Sequence, residues 1–250
     1  MTFKKIYICP ILFGLWLPIT VIITYSVSVL TEHVRPILPY ISDTGTWAPE
    51  SCIFGIMVSI GAVMWWIISY VRYMHIAEIQ EKNDISGPMK KLNKYSLYIA
   101  TLSVFGTLIV ANFQVTEIFI VHLMGASLCF GFGLLYQMSQ VILSFKMFPL
   151  IGHKILNLFR LFLTILTAAS FMSTSICGYI SMINFRGEDL TKWKPDDGGY
   201  FYHIISAISE YVLVTATVLH IATFVHEFRD IEIHQPIVTT KTYVTNNLNM

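Results

Sequence analysis

Six side chains carry most of the chemistry open to this chain: Asp43, Glu50, His122, His203, Ser206 and Glu210. His203, Ser206, Ala207 and Glu210 stand at i, i+3, i+4 and i+7, so on a helix they share one stripe, with Ile204, Ile205, Ile208 and Val212 off it. Carboxylates and imidazoles brought together suit acid–base work or the activation of a metal-bound water. Two histidines and a carboxylate on facing helices would form a zinc shell. The same groups also suffice for an internal hydrogen-bonded latch, or for titration in an acidic compartment. No phosphate loop, dinucleotide fingerprint, Cys/His metal spacing or nucleophile elbow accompanies them, so no catalytic residue, metal or cofactor is assigned.

The elements that must position these groups are membrane helices. The chain is 55% hydrophobic and only 12% charged, with a mean hydropathy of +0.64, which is outside the balance of a water-soluble domain. Runs of roughly 20 apolar residues cross a hydrocarbon core of about 30 Å. Six such runs lie near 6–29, 53–73, 95–112, 118–144, 157–183 and 202–225. Continuous apolarity from Ile53 to Val71 excludes the alternation of a membrane β-barrel. The expectation is an all-α polytopic membrane protein, six helices in one bundle over residues 1–228, with a flexible tail over 229–250. Lys4, Lys5 and the apolar run after them imitate a signal peptide, but the run extends to about Val29 without a small-x-small cleavage pattern, so it is read as a retained first span.

With the amino terminus inside, twelve of the sixteen Lys and Arg residues, Arg72 and Arg160 among them, fall on the inner face, which predicts that both termini are cytosolic. Basic residues placed by topology argue against a nucleic-acid partner. Cys9, Cys52, Cys129 and Cys177 lie in or at the edges of spans, which disfavours a disulfide framework. The inner loop from Tyr73 to Lys94 contains the turn signal Ser86-Gly87-Pro88.

Glu210 lies about eight residues inside span 6, roughly 12 Å deep at a rise of about 1.5 Å per residue. A charge at that depth costs on the order of 2.5 to 3.5 kcal/mol, so it should face the bundle interior. His122 begins a run of small residues in span 4, Gly125, Ala126, Cys129 and Gly133, of the kind that lets helices approach closely. This predicts a tight contact of span 4 with span 6, His122, His203 and Glu210 facing one another. The first loop would cover them, with Asp43-Thr44-Gly45 as a tight turn in which glycine supplies positive φ, and Pro49 or Glu50 opening span 2.

The blocks Pro39-Tyr40-Ile41-Ser42-Asp43-Thr44-Gly45-Thr46, Pro49-Glu50-Ser51 and Ile53-Phe54-Gly55 resemble the damage-regulated autophagy modulator (DRAM) family, related to the Frag-type and Sfk-type six-span membrane proteins. The resemblance continues through Val110-Ala111-Asn112-Phe113-Gln114, Val121-His122 with Gly125-Ala126, and Tyr202-His203 with Ser206-Ala207 and Glu210-Tyr211. Trp47-Ala48 and Tyr211 depart from the family pattern. The resemblance implies a positive role in autophagy and residence in lysosomal or endolysosomal membranes; some relatives act at the plasma membrane. The function expected is therefore a non-enzymatic membrane regulator that engages membrane lipids and a membrane or autophagy-related protein. A proton-responsive transporter or channel and a lipid-acting membrane enzyme are the alternatives.

Overall fold

The computed structural model describes residues 2–234. Six helical stretches are long and apolar enough to cross a membrane. They are α1 (Ile8–Leu30), α2 (Glu50–Lys82), α3 (Pro88–Asn112), the composite Phe119–Lys146, α6 (Lys154–Asn184) and the composite Tyr200–Phe228. The fourth consists of α4 (Phe119–Ser127), a π-helical turn (Leu128–Phe132) and α5 (Gly133–Lys146); the sixth is α7 (Tyr200–Ala222) followed by the short α8 (Val225–Phe228). Leucine, isoleucine and phenylalanine side chains remain exposed all along the outside of the bundle, as a surface facing lipid requires.

The connection between spans 2 and 3 is shorter than the sequence suggests. α2 continues to Lys82 because Met74, Ala77, Glu78, Glu81 and Lys82 are good helix formers and Glu78 pairs with Lys82 at 3.0 Å. It stops where the Asn83 side-chain amide donates to the Ile79 carbonyl and Asp84 takes a positive φ. Gly87, also at positive φ, then hands over to Pro88 in the first turn of α3. Only the few residues from Asn83 to Gly87 are turn.

The helices pack in an order that decides where the site lies. α1 packs on α2, α2 on α3, and α7 along α6. The small residues of span 4 serve span 3, which corrects the expected pairing with span 6. A side chain at Gly106 would collide with the backbone of Gly125 and Cys129, and one at Gly125 would collide with Ile109. The Ser103 hydroxyl donates to the Cys129 carbonyl at 2.5 Å, satisfying an acceptor within the π-helical turn. The core beneath combines Phe13, Trp65, Ile68, Tyr136, Val218 and Phe224.

Strands β1 (Thr2–Phe3) and β2 (Ile233–His234) pair antiparallel, and Lys4 pairs with Glu232 at 3.5 Å. Both ends of the described chain therefore meet at one end of the bundle, opposite the first loop. The tail expected over 229–250 is paired through His234; its remainder lies outside the described residues.

Candidate functional site

The first loop folds over the opposite end of the bundle. Ser42 leads into a single 3-10 turn, Asp43–Gly45, all of it buried. Gly45 keeps an ordinary φ, contrary to the turn expected for it; it is needed because any Cβ there would overlap the Phe54 ring. Asp43 accepts the Tyr40 N–H at 3.2 Å. Burial and the nearby Glu210 carboxyl push the Asp43 carboxyl well above the usual range, and burial raises the Tyr40 hydroxyl to about 12.

Each of the six polar residues has a definite place, and they divide into separate groups. Glu50 opens α2, fully buried, and its Oε1 accepts from the His33 Nδ1 at 2.5 Å. His33 is held in turn from the third loop, where the Thr191 hydroxyl donates to its carbonyl at 3.2 Å. Glu50 is thus a clasp between loop and helix. His203 is enclosed by aromatics: it stacks on Trp193 at 4.4 Å and meets Tyr40 edge-on at 4.9 Å. Ser206 turns toward α6, its hydroxyl donating to the Thr174 carbonyl at 2.8 Å. The stripe His203, Ser206, Glu210 is real, but its members address three different neighbours.

Glu210 reaches the loop. Its Oε2 accepts the Ile41 N–H at 2.7 Å across 169 residues of chain. Glu210 and His122 both line a chamber of about 120 Å³ whose wall also includes Ile41, Ser42, Val58 and Ala126. The His122 Nδ1 donates to the Phe113 carbonyl at 2.7 Å, at the end of α3. The space between span 4 and span 6 is therefore a chamber rather than the tight contact expected. Among the described residues, no three His, Cys, Asp or Glu side chains converge as a metal shell would require.

A second polar group was not anticipated. At the end of the bundle near the termini, Arg72 and Arg160 are wholly buried around Glu227, which is 4% exposed. Both carboxylate oxygens of Glu227 take the Arg160 fork at 2.7 Å, and Arg160 further donates to the Thr223 hydroxyl (2.8 Å), the Thr223 carbonyl (3.3 Å) and the Ser144 hydroxyl (3.1 Å). Arg72 is held more loosely, by Gln140 at 3.3 Å, Ser144 at 3.4 Å and Glu227 at 3.5 Å. The Phe224 ring lies 5.0 Å from each guanidinium, a cation–π contact with both. The sequence signal was present in the span limits themselves, since 53–73 contains Arg72 and 157–183 contains Arg160. On α6, Asn157, Arg160, Thr164 and Thr167 repeat at helical spacing, and on α5 Gln137, Gln140 and Ser144 do so too; all are buried.

The fold and these two polar interiors define a polytopic helical membrane protein whose costly groups are paired inside the bundle. The chain matches the Frag1/DRAM/Sfk1/Cwh43P N-terminal domain over residues 5–231 and belongs to that family. It is similar to human DNA damage-regulated autophagy modulator protein 2, with 37% identity over 222 residues, 88% of this chain and 82% of the relative. Human DNA damage-regulated autophagy modulator protein 1 is 33% identical over 222 residues, 89% of this chain and 90% of the relative. The Xenopus tropicalis modulator of macroautophagy TMEM150B is 27% identical over 96% of this chain and 94% of its own length. No solved structure matches the chain.

Proposed function

We propose that this protein is a non-enzymatic modulator of autophagy in lysosomal or endolysosomal membranes, with both termini cytosolic. The observation that carries the reading is kinship along nearly the whole membrane region with relatives named as autophagy modulators. Residues 1–228 act as one membrane unit, and the role is exerted through membrane lipids and a membrane or autophagy-related protein partner. The orientation rests on the basic residues: with Arg72 and Arg160 taken up inside the bundle, nine of the described ones remain on the face of the termini against four on the other. The six-residue polar set at the first-loop end serves two purposes in this reading. Glu50 with His33, His203 with its aromatics, and Ser206 hold the fold, while Glu210 and His122 face the chamber.

Cells lacking the protein, complemented with wild type or with Glu210→Gln, test the proposal through autophagic flux and lysosomal co-fractionation measured together. Wild type should restore flux and co-fractionate with lysosomes. Flux unchanged by loss and by complementation would refute the role; wild-type protein confined to other membranes would refute the location.

A further inference from the structure

The chamber between span 4 and span 6 is built for a particular kind of occupant. Its wall contains no Lys or Arg. Glu210 is 8% exposed, and while Oε2 is taken by the Ile41 N–H, Oε1 has no hydrogen-bond partner among the described residues. Also in the wall, the His122 ring in its neutral form spends its only N–H on the Phe113 carbonyl, so its Nε2 carries a lone pair and accepts. The roof end is thus rich in acceptors, and among the described residues no wall hydroxyl donates to them: Thr20 donates to the Trp16 carbonyl and Thr107 to the Ser103 carbonyl, Thr217 accepts from the Gln137 amide, and Ser42 makes no bond to Glu210 or His122.

The rest of the wall is apolar, with Phe13, Phe54, Val58, Val214 and Val218. Its volume is close to the about 150 Å³ of an apolar cavity that holds benzene. Leu17, Val110, Ala126 and Phe130 in its wall are only partly buried, so the chamber is not fully enclosed and a chain too long for it can leave past them.

We propose that the chamber binds a single-chain amphiphile with a cationic, hydrogen-bond-donating head: a long-chain primary amine, its ammonium between Glu210 and His122 and its first methylenes along Val58 and Val214. An ammonium has three N–H groups, enough for both acceptors, and it supplies the opposite charge that a carboxylate at membrane depth requires. A fatty alcohol has one donor for two acceptors. A fatty acid sets a second anion against Glu210. This inference stands on the geometry of the chamber and is separate from the proposed role in autophagy.

The test uses the full chain in phosphatidylcholine nanodiscs with three probes of equal chain length, hexadecylamine, hexadecan-1-ol and hexadecanoic acid, read by native mass spectrometry and thermal shift. The amine should bind saturably at one copy per protein and raise the melting temperature, and the acid should do neither. Glu210→Gln should weaken the amine by at least about tenfold, the equivalent of 1.4 kcal/mol. Ala126→Phe, which fills the chamber from its partly exposed wall without touching Glu210, should abolish binding, and it decides the matter alone where Glu210→Gln does not fold. Equal binding of all three probes, amine binding indifferent to Glu210→Gln, or binding that survives Ala126→Phe would each overturn the proposal.

Discussion

Replacing Glu227 by Gln puts the buried ion network to its most direct test. Glutamine keeps one acceptor oxygen but turns an NH2 group toward guanidinium N–H donors, so at most one of the two 2.7 Å bonds to Arg160 survives. Two wholly buried guanidinium groups are then left with no anion between them. Removing one partner of a buried pair costs about 3–5 kcal/mol. For a chain of this size that lowers the melting temperature by on the order of 10 °C. Arg160→Met should cost a similar amount, because it deletes five hydrogen bonds and leaves Glu227 with Arg72 alone at 3.5 Å. Arg72→Met should cost about 1 kcal/mol or less, since its contacts are long and it removes the surplus cation. Fluorescence-detected gel filtration after heating detergent-solubilised protein measures all three. A Glu227→Gln variant as stable as wild type, or an Arg72→Met variant as damaged as Arg160→Met, would refute the division of labour derived from the distances.

Three further outcomes are expected. The raised Asp43 carboxyl favours the folded loop while protonated; its contribution is fully present below the ordinary carboxylate value of about 4 and is lost as pH rises through the elevated one. Wild type should therefore melt higher near pH 5 than near pH 8, and Asp43→Asn should reduce that difference in the same thermal assay. His33→Ala strips the buried Glu50 of its donor and should cost about 1–3 kcal/mol, with partial recovery in the Glu50→Gln double variant. Gly106→Ala pushes a methyl group into the backbone of the π-helical turn and should destabilise by about 1–3 kcal/mol, seen as a lower yield of monodisperse protein.

The architecture was legible because membrane helices announce themselves by apolar length, and the six spans need no knowledge of tertiary contacts. The helical stripe of His203, Ser206 and Glu210 was legible for the same reason. What those residues face was not, because a stripe on one helix can address several neighbours across its width. The small residues at 125, 126, 129 and 133 correctly signalled a close approach, but the sequence alone does not name the partner helix, and the partner is α3. Arg72 and Arg160 were misread as loop cations because counting basic residues by side treats every Arg as solvated. Their burial depends on Glu227, far away in sequence, and was foretold only by their place inside the span limits and by the polar repeats on α5 and α6. Gly45 shows a similar limit: a glycine signals close quarters as readily as positive φ.

The bond between Glu210 and the first loop has a lopsided genetics. Its acceptor is a side chain, but its donor is the main-chain N–H of Ile41, which every residue except proline possesses. A mutational scan through the loop would therefore register Ile41 only as an apolar side chain, and the tether would stay invisible unless proline were among the substitutions. All the heritable information for this contact resides at position 210. Loop sequences can diverge widely above it while the strap itself persists.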